Sequence, residues 1–479
     1  MAFKDNREFI KALEKTGDVV RVKQEVDWDL EVGAIVRRLN EMQGPAPLFE
    51  KIKGYPEGFT IFASPLATFR RLAVAMGLEA DTPLAKIFET YRERYKNPIK
   101  PKIVSDGPCH ENIIQGDDVN LFMFPAPMVH DGDGGRYIST WHFIAVKDPD
   151  SDWTNWGMYR QMIHNRRTLG GLCLPYSDQG RIFYGKYVPK NEPMPFATVI
   201  GADPLCSLVA MAPLGIGVNE VDYAGGLREE PIELVKCVTS DIYVPADAEI
   251  VIEGEVLPDA TVEEGPFGEY TGYRGSPRMP RSVYRVKAIT YRNNPILTMS
   301  NMGMPVDDCA LGMSLVWSEE IRKVLVDQGI PVTGVFNPPQ GVVSACFVGV
   351  KTIYSNIAVQ IANLIFGSKF AAPWINQVFV VDEDVDPYNM DEVFHAWATK
   401  CHPVRGVFTY PKMVSAPLIP FNSFEDRTYS RGAKVVYDCT WPLDWDKKVE
   451  IPQKAAFKTI YPKEIQEKVL KNWKKYGFQ

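Results

Sequence analysis

Glu263-Glu264-Gly265-Pro266-Phe267-Gly268-Glu269-Tyr270-Thr271-Gly272-Tyr273 constrains this chain more than any other stretch. Glu264 and Glu269 stand five positions apart. A regular strand would send them to opposite faces, and a helix would splay them by well over a right angle. Pro266 lacks a backbone donor, and the glycines on either side of Pro-Phe admit unusual backbone angles. The spacing therefore predicts an irregular loop that points both carboxylates into one space. Carboxylates in different environments suit acid/base chemistry, because one stays ionised while the other carries a proton. A solvated acidic turn with a Gly-Pro bend is the plainer reading of the same residues.

A chain of 479 residues exceeds one ordinary core, so two or three domains are expected. With 45% hydrophobic and 24% charged residues the balance is that of a soluble globular protein. The net charge of −7, with no basic run interleaved with aromatics, excludes nucleic-acid binding as the main activity. Residues 1–8 are charged where a signal peptide would need its apolar segment. The most apolar stretches, 207–218 and 341–350, are too short to span a bilayer. Eight cysteines are scattered without a CxxC pair, which predicts reduced thiols in a cytoplasmic protein.

The first hundred residues pattern as α/β. Asn6 is placed to cap a helix carrying Phe9, Ile10 and Leu13 and ending at Gly17; further helices are expected over 30–42 and after Thr82-Pro83. From about 106 to 301 short β segments dominate, among them 137–146, 250–256, 283–291 and 296–300, as in a barrel or sandwich. Helices return at 311–327 and 357–366, and 378–381 reads as a strand entering Asp382-Glu383-Asp384. That acidic run is a solvated strand end or, less simply, a metal site. Residues 410–458 look irregular and proline-rich, like an arm reaching a partner subunit, before a final helix over 462–476.

Common catalytic motifs are missing. The run Asp131-Gly132-Asp133-Gly134-Gly135 precedes a β segment rather than a helix and fails as a dinucleotide fingerprint. The histidines at 110, 130, 142, 164, 395 and 402 show no ligand-like clustering. Glu264–Tyr273 nevertheless resembles the signature loop of the UbiD family, the prenylated-FMN-dependent decarboxylases. Asn155-Trp156-Gly157-Met158-Tyr159-Arg160 is similar to the family strand with a metal-binding Asn and a catalytic Arg. Pro213–Glu220 followed by Asp222-Tyr223 resembles the segment with its metal-binding Glu. Lys400-Cys401-His402-Pro403 and 380–387 resemble its C-terminal landmarks, and the pieces occur in family order along essentially the whole chain.

The resemblance implies an α/β (α+β) architecture. An N-terminal α/β domain (1–105) would precede a split β-barrel of flavin-reductase type that binds the cofactor (106–305). A linker helix (306–330), a C-terminal α/β domain (331–450) and a terminal oligomerisation helix (451–479) would follow. It also implies prenylated FMN bound by Asn155, Trp156, Met158, Arg160, Gln179, Ala212, Pro213 and Glu220. Mn²⁺ or Mg²⁺ would sit on Asn155, Gln179 and Glu220, bridging to the cofactor phosphate, with K⁺ or Na⁺ also bound. A hard cation with oxygen ligands offsets phosphate charge that would otherwise repel Glu220. Asn155 and Arg160, up to about 16 Å apart along a strand at about 3.3 Å per residue, would serve opposite ends of the cofactor. Arg160 would hold the substrate carboxylate, Glu264 would orient Arg160, and Glu269, in a drier pocket, would deliver the proton that replaces CO2. Outside the resemblance, Asn155 reads as a turn amide and Glu220 as a surface carboxylate.

Two positions depart from the family pattern. Its third metal position is usually His; here Gln179 stands there, with Asp178 one residue away. The Lys that approaches the cofactor phosphate is replaced by Asn376, and Lys369 lies too far upstream to substitute by sequence position alone. Arg274, Met302 and Met304 are the nearest candidates for the substrate wall. The implied activity is reversible non-oxidative decarboxylation of an aromatic acid, phenolic acids included, or of an α,β-unsaturated carboxylic acid. The implied partners are the small acid and CO2, a flavin prenyltransferase supplying cofactor, and further copies of the chain as dimer or hexamer. A carboxylase subunit of phenylphosphate type, with other carboxylase subunits, and a non-catalytic structural paralogue are the alternatives.

Overall fold

Helix Asn6–Thr16 begins where the Asp5 carboxylate accepts the Glu8 N–H, and it ends at Gly17, whose φ of 76° is cheap only for glycine. Asp5, not the expected Asn6, is the cap; Asn6 is buried and donates to Thr298 Oγ1 at 3.0 Å. The computed structural model describes residues 3–275 and 277–478. Its mixed α/β architecture contains several sheets. The first has four strands in the order Val19–Val22, Ala46–Phe49, Thr60–Ala63, Ile296–Met299. Its last strand arrives from far along the chain and pairs in parallel with Thr60–Ala63, which fastens the N-terminal region to the centre.

The central sheet has nine strands and is antiparallel at every pairing. Its order is Tyr137–Ser139, Gln161–Asn165, Thr168–Gly171, Met279–Tyr291, Ile250–Glu264, Met194–Ile200, His142–Lys147, Thr154–Gly157. Asn112–Gln115 pairs with Met279–Tyr291 beside this path. Tyr137–Ser139 at one edge is followed after two residues by His142–Lys147, next to the opposite edge. Thr154–Gly157 and Gln161–Asn165 are likewise close in sequence and at opposite ends of the order. Two or three residues span only about 10 Å, so the sheet must curl until its edges approach. No ladder joins those edges among the described residues, so the curl does not close into a barrel.

The long hairpin Ile250–Glu264/Met279–Tyr291 carries the predicted loop at its tip, with Glu264 opposite Met279 in the last paired position. Register shifts at Glu253/Gly254 and Val256/Thr261 bend it. At the first shift a Cβ on Gly254 would lie 2.1 Å from Arg285 O, so only glycine fits.

Helix Asp308–Asp327, capped by Asp307, leads to a five-stranded sheet ordered Val332–Phe336, Ala345–Val350, Gln377–Asp382, Arg431–Cys439, Val407–Val414. The expected irregular arm over 410–458 is thus partly wrong. Arg431–Cys439 lies inside this sheet, parallel to Gln377–Asp382, and buries Val436 and Cys439. Flanking prolines hid a strand pattern that the sheet supports from both sides. The acidic turn after Gln377–Asp382 is paired: Lys400 Nζ lies 3.2 Å from Asp382 and 2.9 Å from Asp384. No helix among the described residues is long and apolar enough to cross a membrane.

Candidate active site

At the seam between the two sheet edges lies a cavity of about 320 Å³, within the range of small-molecule sites. Thr140, Trp141 and His142 border it from one crossing and Asn155 to Arg160 from the other. Met158, Tyr159 and Arg160 leave the ladder between strands Thr154–Gly157 and Gln161–Asn165. The expected continuous strand from Asn155 to Arg160 is therefore a strand end followed by a bend. The bend turns Arg160 into the cavity wall, which Ala212 and Pro213 also line, and beside Glu269.

Arg160 is buried and holds both predicted carboxylates. Its Nε donates to Glu264 Oε1 at 2.9 Å and its Nη2 to Glu264 Oε2 at 3.1 Å, while Nη1 contacts Glu269 Oε1. Glu264 was expected as its partner; Glu269 joins the same guanidinium. Glu264 stands behind Arg160, 1% exposed, and its Oε1 also accepts from Tyr137 OH at 2.6 Å. Glu269 borders the cavity. Gly265, with φ of 84°, turns the chain out of the hairpin between the two acids. Phe267 packs beneath Arg160, its ring 5.5 Å from the guanidinium carbon.

The second pole of the cavity is bordered by Asn155 and Glu220, two of the three residues of the expected metal set. Glu220 opens helix Glu220–Arg228; its carboxylate accepts the Trp156 N–H at 2.8 Å and Asn155 Nδ2 at 3.1 Å. Burial, reinforced by the nearby Asp178 charge, pushes the Glu220 carboxyl up to about 8. Two carbonyl oxygens here, Asn155 Oδ1 and Gln179 Oε1, are buried without a hydrogen-bond partner. Gln179 sits on the short helix Asp178–Ile182, which packs on strand Thr154–Gly157. Its Nε2 donates to Tyr284 OH at 2.5 Å, which fixes the amide with its oxygen unspent. Gln179 itself does not border the cavity. The unpaired Asn155 carbonyl, on the side chain that also bonds the destabilised Glu220 carboxylate, fits a hard cation, which would satisfy both. Among the described residues no group of three or more His, Cys, Asp or Glu is placed to hold a metal.

Lys369, distant by sequence position, comes close in space. It borders the cavity, and its Nζ lies 2.9 Å from Asp178 Oδ1. Folding brings this cation to the Glu220 pole, although it stands eight residues before strand Gln377–Asp382. Asn376, in the place expected for lysine, is spent on structure: Nδ2 donates to Trp374 O at 2.8 Å. Of the three guessed wall residues only Met302 borders the cavity; Arg274 instead bonds Asp131 O, and Met304 is exposed. Much of the remaining wall is apolar, including Leu172, Leu174, Trp317, Trp374 and Leu418. Tyr137, His142 and Lys369 had no signal in the sequence beyond their types, because each reaches the site only through contacts distant in sequence.

Three family models match in chain order. The 3-octaprenyl-4-hydroxybenzoate carboxy-lyase N-terminal domain covers 10–91, its Rift-related domain 102–305 and its C-terminal domain 313–439. The chain is 32% identical to pyrrole-2-carboxylic acid decarboxylase of Pseudomonas aeruginosa over 99% of this chain and 98% of that protein. It is 31% identical to ferulic acid decarboxylase 1 of Saccharomyces cerevisiae at the same coverage. Vanillic acid decarboxylase of Sedimentibacter hydroxybenzoicus in closed form superposes with a TM-score of 0.90 at 30% identity, covering 99% and 100% of the two chains. Its open form gives 0.85 at 29% identity over the same coverage. An evolved dimeric form of a UbiD-class enzyme from Pelotomaculum thermopropionicum, solved with prFMN, gives 0.79 at 29% identity, covering 94% and 97%. With all three models matched and relatives aligned nearly end to end, the chain belongs to the UbiD family of carboxy-lyases.

Proposed function

We propose that this protein decarboxylates an aromatic or α,β-unsaturated carboxylic acid, reversibly and without oxidation, using prenylated FMN. The observation that carries the reading is one buried arginine at a cavity wall, held by a carboxylate behind it and touching a second carboxylate that faces the cavity. Glu264 occupies Nε and one N–H of Nη2, and Glu269 meets Nη1. One N–H on each terminal nitrogen is left for a substrate carboxylate. When that carboxylate arrives, a single guanidinium faces three acids. The mutual repulsion is relieved if one carries a proton, and Glu269, held at one oxygen only, is the one to take it. Glu269 then has the proton to place on the carbon that loses CO2. The apolar wall excludes water from the carboxylate, so an acid that misses Arg160 is desolvated without compensation and rejected.

Prenylated FMN supplies the electron sink for the carbon–carbon bond that breaks. Trp156, Met158, Arg160, Ala212 and Pro213 would line its site. Asn155, Gln179 and Glu220 would hold Mn²⁺ or Mg²⁺ at its phosphate, supported by the two unpaired carbonyls and the buried carboxyl. Lys369 is the cation at hand for that phosphate, in place of the lysine that Asn376 replaces. The curled sheet with two short crossings between its edges is consistent with a split barrel of flavin-reductase type. A flavin prenyltransferase would supply the cofactor. Eight free thiols suit the cytoplasm, and assembly with further copies of the chain belongs to the same reading.

The test is to co-express the chain with a flavin prenyltransferase and offer the purified, cofactor-loaded protein a panel of cinnamic, phenolic and heteroaromatic acids in D2O. Release of CO2 with one deuterium at the vacated carbon is expected for at least one class. Absence of both turnover and exchange across the panel would sink the reading.

A further inference from the structure

The glycine-rich run 131–135, which serves no dinucleotide, wraps the loop between Glu264 and Glu269. Asp133 is 5% exposed, and both of its carboxylate oxygens are engaged. Oδ1 accepts the Gly268 N–H at 3.0 Å; Oδ2 meets the His130 N–H at 3.1 Å and His130 Nδ1 at 2.9 Å. The far side of the imidazole, Nε2, lies 2.9 Å from Asn301 Oδ1, and Asn301 Nδ2 donates to Gly33 O at 2.6 Å. One residue on, Gly134 N–H donates to Pro266 O at 2.7 Å. A Cβ on Gly134 would lie 2.0 Å from Gly265 O, and one on Gly268 2.6 Å from the His130 ring, so both glycines are needed for this approach. The His130 ring also packs edge-on against Phe267 at 5.6 Å.

We propose that Asp133 and His130 are positioning residues for proton delivery. They clamp the Gly268 peptide, immediately before Glu269, to the body of the protein through Asn301. The inference rests on the assignment of Glu269 as proton donor given above. The Glu269 side chain is fixed at Arg160, but its backbone belongs to a loop at a hairpin tip. Such a loop places a carboxylate reproducibly only if its peptide is held independently. The charge-assisted bond from Gly268 N–H to a buried carboxylate, with the imidazole fixing that carboxylate from the other side, does this. Neither residue borders the cavity, so each acts through Glu269 rather than on a ligand.

The test compares cofactor-loaded wild type with Asp133→Asn, which turns one acceptor into a donor, and with His130→Phe, which keeps a ring against Phe267 but loses both polar contacts. Three quantities are read: amide hydrogen exchange of the 265–275 peptide, flavin content, and kcat and KM separately. The expected result is at least about tenfold faster exchange in that peptide and a kcat lower by about ten- to a hundredfold. KM and flavin content should stay within about twofold of wild type, since Arg160 and the cofactor contacts are untouched. Unchanged loop exchange in both variants overturns the clamp, as does a kcat loss matched by a loss of flavin. Where wild type itself turns over no acid, the decarboxylase reading fails, while the exchange of the loop still decides the clamp.

Discussion

Arg160 joins two carboxylates that differ in access: Glu264 is sealed behind it and Glu269 borders the cavity. The difference predicts different defects. Glu269→Gln should keep its flavin and lose turnover by about two to four orders of magnitude, the usual range for a lost general acid, with deuterium incorporation falling in parallel. Glu264→Gln should instead raise KM, because Arg160 loses one charge-assisted partner and its orientation loosens. Equal KM values for the two variants would contradict this division. His142 gives a prediction with a sign. Burial lowers its pKa from 6.5 to about 4, and Nε2 is committed to Tyr159 O at 2.9 Å. The unfolded chain therefore holds more protons than the folded one between those values. Stability is full above pH 6.5 and is lost as the pH falls toward 4, by on the order of 3 kcal/mol for this residue. Thermal melts of wild type and His142→Gln at pH 7 and pH 5 measure it; the variant should lose less stability on acidification. At this scale the motif residues were legible because each carries its chemistry in its own type. Lys369 and Tyr137 were not, because a lysine and a tyrosine mean nothing until the fold sets them beside Asp178 and Glu264.

Among the elements, the short helix Asp178–Ile182 carries Gln179 and is held by two features. Ser177 Oγ accepts the Gly180 N–H at 3.1 Å, and Gly180 packs so tightly that a Cβ would lie 1.9 Å from Leu174 O. Gly180→Ala must push the helix away from Leu174 and Pro175 and shift the Gln179 carbonyl with it. Flavin retained through purification should drop severalfold, and added Mn²⁺ should restore it only in part. Retention equal to wild type would separate this helix from cofactor binding. Buried helices such as Ile357–Gly367 and the hairpin strands were legible from apolar spacing, since local pattern and tertiary burial agree there. Arg431–Cys439 was hidden because prolines nearby suggest irregular chain, and only its two parallel and antiparallel neighbours make it a strand. The bend at 158–160 was missed for the opposite reason. Strand-like residues continue through it, yet the chain must cross from one sheet edge to the other at that point.

For the whole molecule, the unsettled surface is the C-terminal region. Helix Lys463–Lys471 buries none of its residues, and Ile465 and Leu470 remain 43% and 62% exposed. Phe421, Phe424 and Tyr429 are also more than half exposed. Exposed apolar side chains on a short helix favour packing against a partner, and a further copy of this chain is the partner proposed. Burying the exposed 43% and 62% of these two side chains contributes about 1.5–3 kcal/mol in all, enough to change a dissociation constant roughly ten- to a hundredfold. It falls short of a stable interface alone, which usually needs about 1,600 Å². Removing residues 451–479 should therefore weaken self-association by roughly ten- to a hundredfold rather than abolish it. No described residue of the deleted segment borders the cavity, so flavin binding should persist. Sedimentation velocity over a dilution series of the full and shortened chains measures the shift, with flavin absorbance recorded on the same samples. Identical dissociation curves would show that the helix packs elsewhere, and loss of flavin with the helix would tie the terminus to the site instead.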